Sequence, residues 1–180
     1  MTARRVLVAG VGNIFLGDDG FGVEVVRRMA DDPVPEGVKV VDFGIRGLHL
    51  AHELLDGWDT AILVDASPRG GDPGTLYLLN VDPADRPPRL TTEEVVEQGA
   101  VFDAHGMAPV EVLAMLDTLG GTPPDRVLVL GCEPAVVDEQ MGLSEPVDGA
   151  VDVAVTELRK LIDEESGDRP AAGTREEVNR

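Results

Sequence analysis

Aromatic side chains are scarce in this 180-residue chain: one Trp, one Tyr and four Phe, or 3% of the residues. Any core must therefore be built from Val, Leu, Ile and Ala. The single cysteine, Cys132, excludes an internal disulfide and a cysteine-based zinc framework. Apolar runs last about five residues, far short of the roughly 20 that a bilayer-spanning helix needs. The opening Met-Thr-Ala-Arg-Arg-Val leads straight into a core strand and has no apolar stretch of the secretory kind. Positive charge is also in short supply, with 15 Lys and Arg against 34 Asp and Glu and a net charge of −19. Nucleic acids and anionic membranes, which are held through basic patches, are poor partners for such a chain. The acidity is compatible with a positively charged partner, and equally with a general acidity of the source organism's proteins. The expectation is a cytoplasmic protein, with a monomer as the default state.

What is present is ordinary for a globular domain. Hydrophobic residues make up 43% of the chain, and 180 residues suffice for one domain that buries about two-thirds of its unfolded surface. Strand-like and helix-like segments alternate. Val6–Ala9 reads as a buried strand, Gly22–Met29 as an amphipathic helix with Val23, Val26 and Met29 inward, and Val38–Phe43 as a second strand. Leu48–Leu55 reads as a short helix and Thr60–Ala66 as a central strand, apolar on both faces. Gly74–Asn80 is a candidate fourth strand, and Pro83–Leu90, with three prolines, a loop. Met107–Leu119 reads as a helix with Pro109 in its first turn, Val127–Leu130 as a strand, and Ser144 as the N-cap of a last helix of about 18 residues. The pattern predicts one α/β domain over residues 1–163, a mostly parallel twisted sheet with helices on both faces, and a disordered polar tail over 164–180.

In such sheets ligands bind beyond the carboxyl ends of the strands, where the strand order reverses. The stretch after the first strand, Gly10-Val-Gly12-Asn13-Ile-Phe15-Leu-Gly17-Asp18-Asp19-Gly20-Phe-Gly22, starts like a dinucleotide loop. It departs where Phe15 stands in place of a third glycine, and where Asp18 and Asp19 would repel a phosphate. Gly10 and Gly12 make the turn, Gly20 and Gly22 let the following helix pack closely, and Asp18 reads as a capping neighbour of Asp19. Asp65 closes the third strand, and His105 precedes a helix, on the same sheet edge. Asp19, Asp65 and His105 could hold a divalent ion with open positions. Without a cation, the two carboxylates would push one pKa up and pair a general acid with a base. Each residue also has a structural reading, as turn, cap or core side chain.

Gly10-x-Gly12-Asn13-x-x-x-x-Asp18-Asp19-Gly20-x-Gly22, Val64-Asp65-Ala66, His105 before a helix, and Leu130-Gly131-x-x-Pro134 together resemble the hydrogenase maturation endopeptidases, over roughly residues 5–162. The resemblance implies a protease of aspartyl type, acting by metal-assisted hydrolysis. It would remove a C-terminal extension from the precursor of the nickel-containing large subunit of a [NiFe] hydrogenase. It implies that Asp19, Asp65 and His105 are the nickel contacts, that the nickel arrives in the substrate, and that no organic cofactor is used. Asp42-Phe43-Gly44-Ile45-Arg46-Gly47 stands where many relatives have Asp-Gly-Gly-Thr-x-Gly. Asp42, Gly44 and Gly47 are therefore candidate substrate contacts, with Phe43 and Ile45 altering the rim of the loop.

Other signals are weaker. His49 and His52 are three apart with Glu53 following, the wrong order for a zinc protease helix, and read as surface residues. Cys132 reads as a small buried hydrophobe, Trp58 and Tyr77 as packing residues, and Glu133 as shaping or capping the crevice. Two alternatives accompany the protease reading. One is a non-catalytic chaperone of the same large subunit. The other is a small hydrolase or phosphorylase of nucleosides or phosphate esters, for which Arg46 and Arg69 are the nearby cations.

Overall fold

The computed structural model describes residues 3–82 and 108–167. Five strands form one sheet: β1 (Val6–Val11), β2 (Val38–Gly44), β3 (Thr60–Ala66), β4 (Leu76–Val81) and β5 (Arg126–Cys132). Their order is β2-β1-β3-β5-β4, all parallel except β4, which runs antiparallel to β5 at the edge. Among the described residues the helices are α1 (Phe21–Arg28), α2 (Gly47–Leu54), α3 (Pro109–Thr118) and α4 (Glu145–Ser166), with a single 3₁₀ turn over Gly17–Gly20.

Alternation along the central strands sends side chains to two separate cores. Val6 and Val8 of β1, Ile62 and Val64 of β3, and Leu128 and Leu130 of β5 pack with Phe21 and Val25 of α1 and the buried stripe of α4. Leu7 and Ala9, Ala61 and Leu63, and Val127 and Val129 face the other way, against Leu50 and Leu54 of α2 and Leu113 and Leu116 of α3. A strand stretch covered on both faces is apolar at nearly every position, which is why β1 and Ala61–Val64 of β3 read as hydrophobic runs. The α/β architecture expected from the alternation is the one observed.

Differences from the expected elements have local causes. The last helix has 22 residues and passes the expected boundary at 163. Its final turn is held because Glu165, only 4% exposed, accepts a hydrogen bond from Thr60 Oγ1 (3.1 Å) and lies 3.3 Å from Arg126 Nε. The fourth strand begins at Leu76, two residues after Gly74, and alternates half-exposed and exposed positions, as an edge strand does. Pro83–Leu90, His105 and Met107 lie outside the described residues, as do positions 168–180 of the expected tail.

The topology fixes where chemistry can occur. From β1 the chain passes to β2 on one side and then crosses back to β3 on the other. The strand order therefore reverses between β1 and β3, leaving a crevice above their carboxyl ends. Helix α1 can reach that crevice because residue 22 has no side chain: a Cβ there would lie 1.9 Å from the Val64 carbonyl oxygen.

Candidate active site

Asp19 and Asp65 meet at this crevice. Asp19 sits in the 3₁₀ turn that leads into α1, and Asp65 is the penultimate residue of β3. Between them runs Gly12 with φ +130°, where an added Cβ would lie 1.8 Å from the Asp19 carbonyl oxygen and 3.7 Å from Asp65 Oδ1. Only glycine fits that passage. The Asn13 amide donates to Asp19 Oδ2 at 2.8 Å, and Asn13 Oδ1 accepts from the Phe15 amide at 2.9 Å, so the turn orients the first carboxylate.

The second carboxylate is under strain of a different kind. Asp65 is half-buried, and among the described residues the hydrogen bond it accepts comes from its neighbour's amide, Ala66 N to Oδ1 at 2.8 Å. Burial, followed by the negative charge of Asp19, pushes the Asp65 carboxyl well above the usual carboxylate range; the Ala66 amide offsets this only in part. Of the two carboxylates, Asp65 is therefore the one whose pKa is raised. A cation between the two carboxylates would relieve both desolvation and repulsion, so the donor set suits a divalent ion. The third expected ligand, His105, lies outside the described residues, and among the described residues no three potential ligands gather.

Asp18 is not the local cap expected of it. It is completely buried, and its carboxylate receives four donors from the far side of the chain. The amides of Ala135 and Val136 and the Ser144 hydroxyl reach Oδ2, each at 2.8 Å, while the Ser144 amide reaches Oδ1 at 2.7 Å. Burial would raise its pKa, but these hydrogen bonds outweigh it and hold the carboxyl below its ordinary value. Ser144 stands at the N-cap of α4 with extended backbone, as expected, yet its hydroxyl serves Asp18 and not its own helix.

Glu133, just after β5, organises the other wall. It accepts from the amides of Arg69 (2.8 Å) and Gly70 (3.1 Å) and from the Tyr77 hydroxyl (2.9 Å), tying down the loop that follows Asp65. Against the desolvation that burial imposes, these bonds lower its pKa. Tyr77 therefore does more than pack. Sequence carried no signal for these pairings, because the partners lie 56 to 64 positions apart. Cys132 is fully buried, and burial first, then the charges of Asp18 and Glu133, push its thiol up to about 11. That removes it as a nucleophile at neutral pH. His49 and His52 lie exposed on α2.

On the β2 side, a cleft of about 430 Å³ opens between the Gly12–Phe15 turn and the Asp42–Arg46 loop. Asp42 is paired with Arg27 at 3.1 Å, and Gly44 carries the carbonyl that accepts from the Gly12 amide at 3.0 Å. Gly47 is the buried first residue of α2. Phe15, 60% exposed, stands at the cleft's outer rim, and Ile14, Phe43 and Ile45 make its lining largely apolar. The guanidinium of Arg46 is turned onto the carbonyls of Asp42 and Phe43, and that of Arg69 lies over the Tyr77 ring. Neither is arranged as a phosphate clamp.

Residues 23–161 match the family model described as hydrogenase maturation protease. The hydrogenase expression/formation protein HupD of Rhodobacter capsulatus is 33% identical over 88% of this chain and 71% of its own length. A crystal structure of the hydrogenase 2 maturation peptidase from a Thaumarchaeota archaeon superposes with a TM-score of 0.63 and 30% identity, covering 88% of this chain and 98% of that one. The hydrogenase maturating endopeptidase HybD of Escherichia coli shares the fold, with a TM-score of 0.67 at 24% identity over 89% and 93% of the two chains. The chain belongs to the hydrogenase maturation protease family, a family of peptidases.

Proposed function

We propose that this protein is the endopeptidase that removes the C-terminal extension from a nickel-loaded [NiFe] hydrogenase large-subunit precursor. The observation that carries the reading is the Asp19–Asp65 pair at the strand-order reversal, of which Asp65 has one hydrogen bond among the described residues and a raised pKa. Nickel enters as part of the substrate. Asp19 and Asp65, with His105, are the residues proposed to meet it, and the substrate's metal would polarise what binds beside it. The extension would lie in the apolar cleft, along the loop of Asp42, Gly44 and Gly47. A carboxylate of the pair takes a proton from water, whose oxygen joins the scissile carbonyl carbon. The carbon–nitrogen bond then breaks, and the proton passes to the leaving amine. Holding water, carbonyl and carboxylates together removes part of the entropic cost of the reaction. Among the described residues no helix is long and apolar enough to cross a membrane.

Mixing the purified protein with nickel-loaded and nickel-free precursor and weighing the products by mass spectrometry tests the reading. The expected result is loss of the extension from the loaded form alone. Asp19→Asn and Asp65→Asn should each slow that cleavage by about 10²–10⁴-fold while remaining folded. Binding without cleavage by the wild-type chain would support the chaperone instead.

A further inference from the structure

The buried carboxylate next in sequence to Asp19 is not used by the proposed reaction, yet it has the most complete set of partners of any acid described above. We infer that Asp18 is a positioning residue: by gripping the segment between β5 and α4, it holds the turn that aims Asp19 at Asp65. The inference builds on the reaction proposed for this pair.

Three observations converge on it. Both Asp18 oxygens are engaged, by four donors drawn from Ala135, Val136 and Ser144. The grip is reciprocated along the backbone, since the Asp18 amide donates to Val136 O and the Gly17 amide to Gln140 O, both at 2.9 Å. The Gln140 amide returns a bond to Phe15 O at 3.0 Å, so the two segments pair along the whole approach to Asp19. Finally, the turn has no side-chain cap of its own, and its other face is pressed against Gly12. With one face set by Gly12 and the other by the Asp18 grip, the Asp19 backbone has a single position. Displacing a reacting group by about 1 Å commonly costs on the order of a hundredfold in rate, so a residue that fixes this backbone acts on turnover.

Asp18→Asn keeps the shape but turns an amide NH₂ either toward the Ser144 amide or toward the three donors on Oδ2, so one donor must face another. Two readouts at a temperature where the variant is folded by circular dichroism separate positioning from mere stability. The first is cleavage of the nickel-loaded precursor, in which kcat should fall roughly a hundredfold while KM stays within about threefold. The second needs no substrate: exchange of the Asn13 amide, which reports the Asp19 carboxylate, should quicken about tenfold while the Leu7 and Val8 amides of β1 keep wild-type rates. Ser144→Ala, which removes one donor and leaves the carboxylate, should show the same pattern to a smaller degree. Unchanged Asn13 exchange, exchange that rises in step with β1, or a KM increase at constant kcat would overturn the inference. Failure of the wild-type chain to cleave would overturn the proposed function, and the exchange measurement would still decide the role of Asp18.

Discussion

Asp18 and Asp65 are both carboxylates withdrawn from water at one end of the same sheet, and their environments have opposite effects. Asp18 is the more deeply buried, but four donors surround it and its pKa falls. Asp65 keeps some solvent exposure, and burial together with the charge of Asp19 raises its pKa, against one donor among the described residues. Burial pushes both carboxyls upward; at Asp18 four donors outweigh it, whereas at Asp65 the single amide does not and the charge of Asp19 adds to it. The saturated carboxylate is structural ballast for the turn. The unsaturated one has bonding capacity left over, which is what a site needs for a ligand or a proton.

The comparison can be broken most severely by Asp18→Ala. Leaving several buried donors without an acceptor should cost about 3–5 kcal/mol of stability, measured by urea unfolding at neutral pH. Because the folded pKa of Asp18 is depressed, its contribution is fully present above the ordinary carboxylate pKa of about 4 and is lost as pH falls through the folded value. The gap between wild type and Asp18→Ala should therefore narrow on acidification. Ser144→Ala removes one donor of the four and should cost about 0.5–1.5 kcal/mol in the same assay. The smallest effect has the opposite sign. Asp65 has a raised folded pKa, so its ionised form opposes folding, and that opposition grows as pH rises from about 4 toward the folded value. Asp65→Asn should raise the melting temperature slightly at neutral pH, and the gain should vanish below about pH 4, while processing is lost. A melting temperature lowered by Asp65→Asn would mean the two carboxylates are not opposites after all.

The parts of this molecule legible in the sequence are those set by local pattern. Thr60–Ala66 has the bounds its sequence suggested, because its middle, Ala61–Val64, is buried on both faces and carries no polar position to confuse the reading. Asp19 and Asp65 could be placed at one edge since each follows or ends a parallel strand, and parallel strands share a carboxyl end. Asp18 was misread because its partners lie 117 and more positions away, and no spacing rule spans that distance. The same holds for Glu133 and Tyr77, whose bond joins the end of β5 to the edge strand. The extra turn of α4 escaped a compositional reading for a related reason. Glu165 looks like the start of a solvated tail until Thr60 and Arg126 are brought beneath it.

The bonds from Asp18 to Ser144 span 126 positions, and this separation has a consequence for the order in which the protein is made. Both aspartates of the pair emerge early in synthesis, within the first 65 residues, but the turn that carries the first of them has nothing to grip until the segment before α4 has also emerged. A nascent chain that has reached β5 already contains the chemistry and still lacks the arrangement. The Asp18 grip on the turn that carries Asp19 is completed only when the last helix begins.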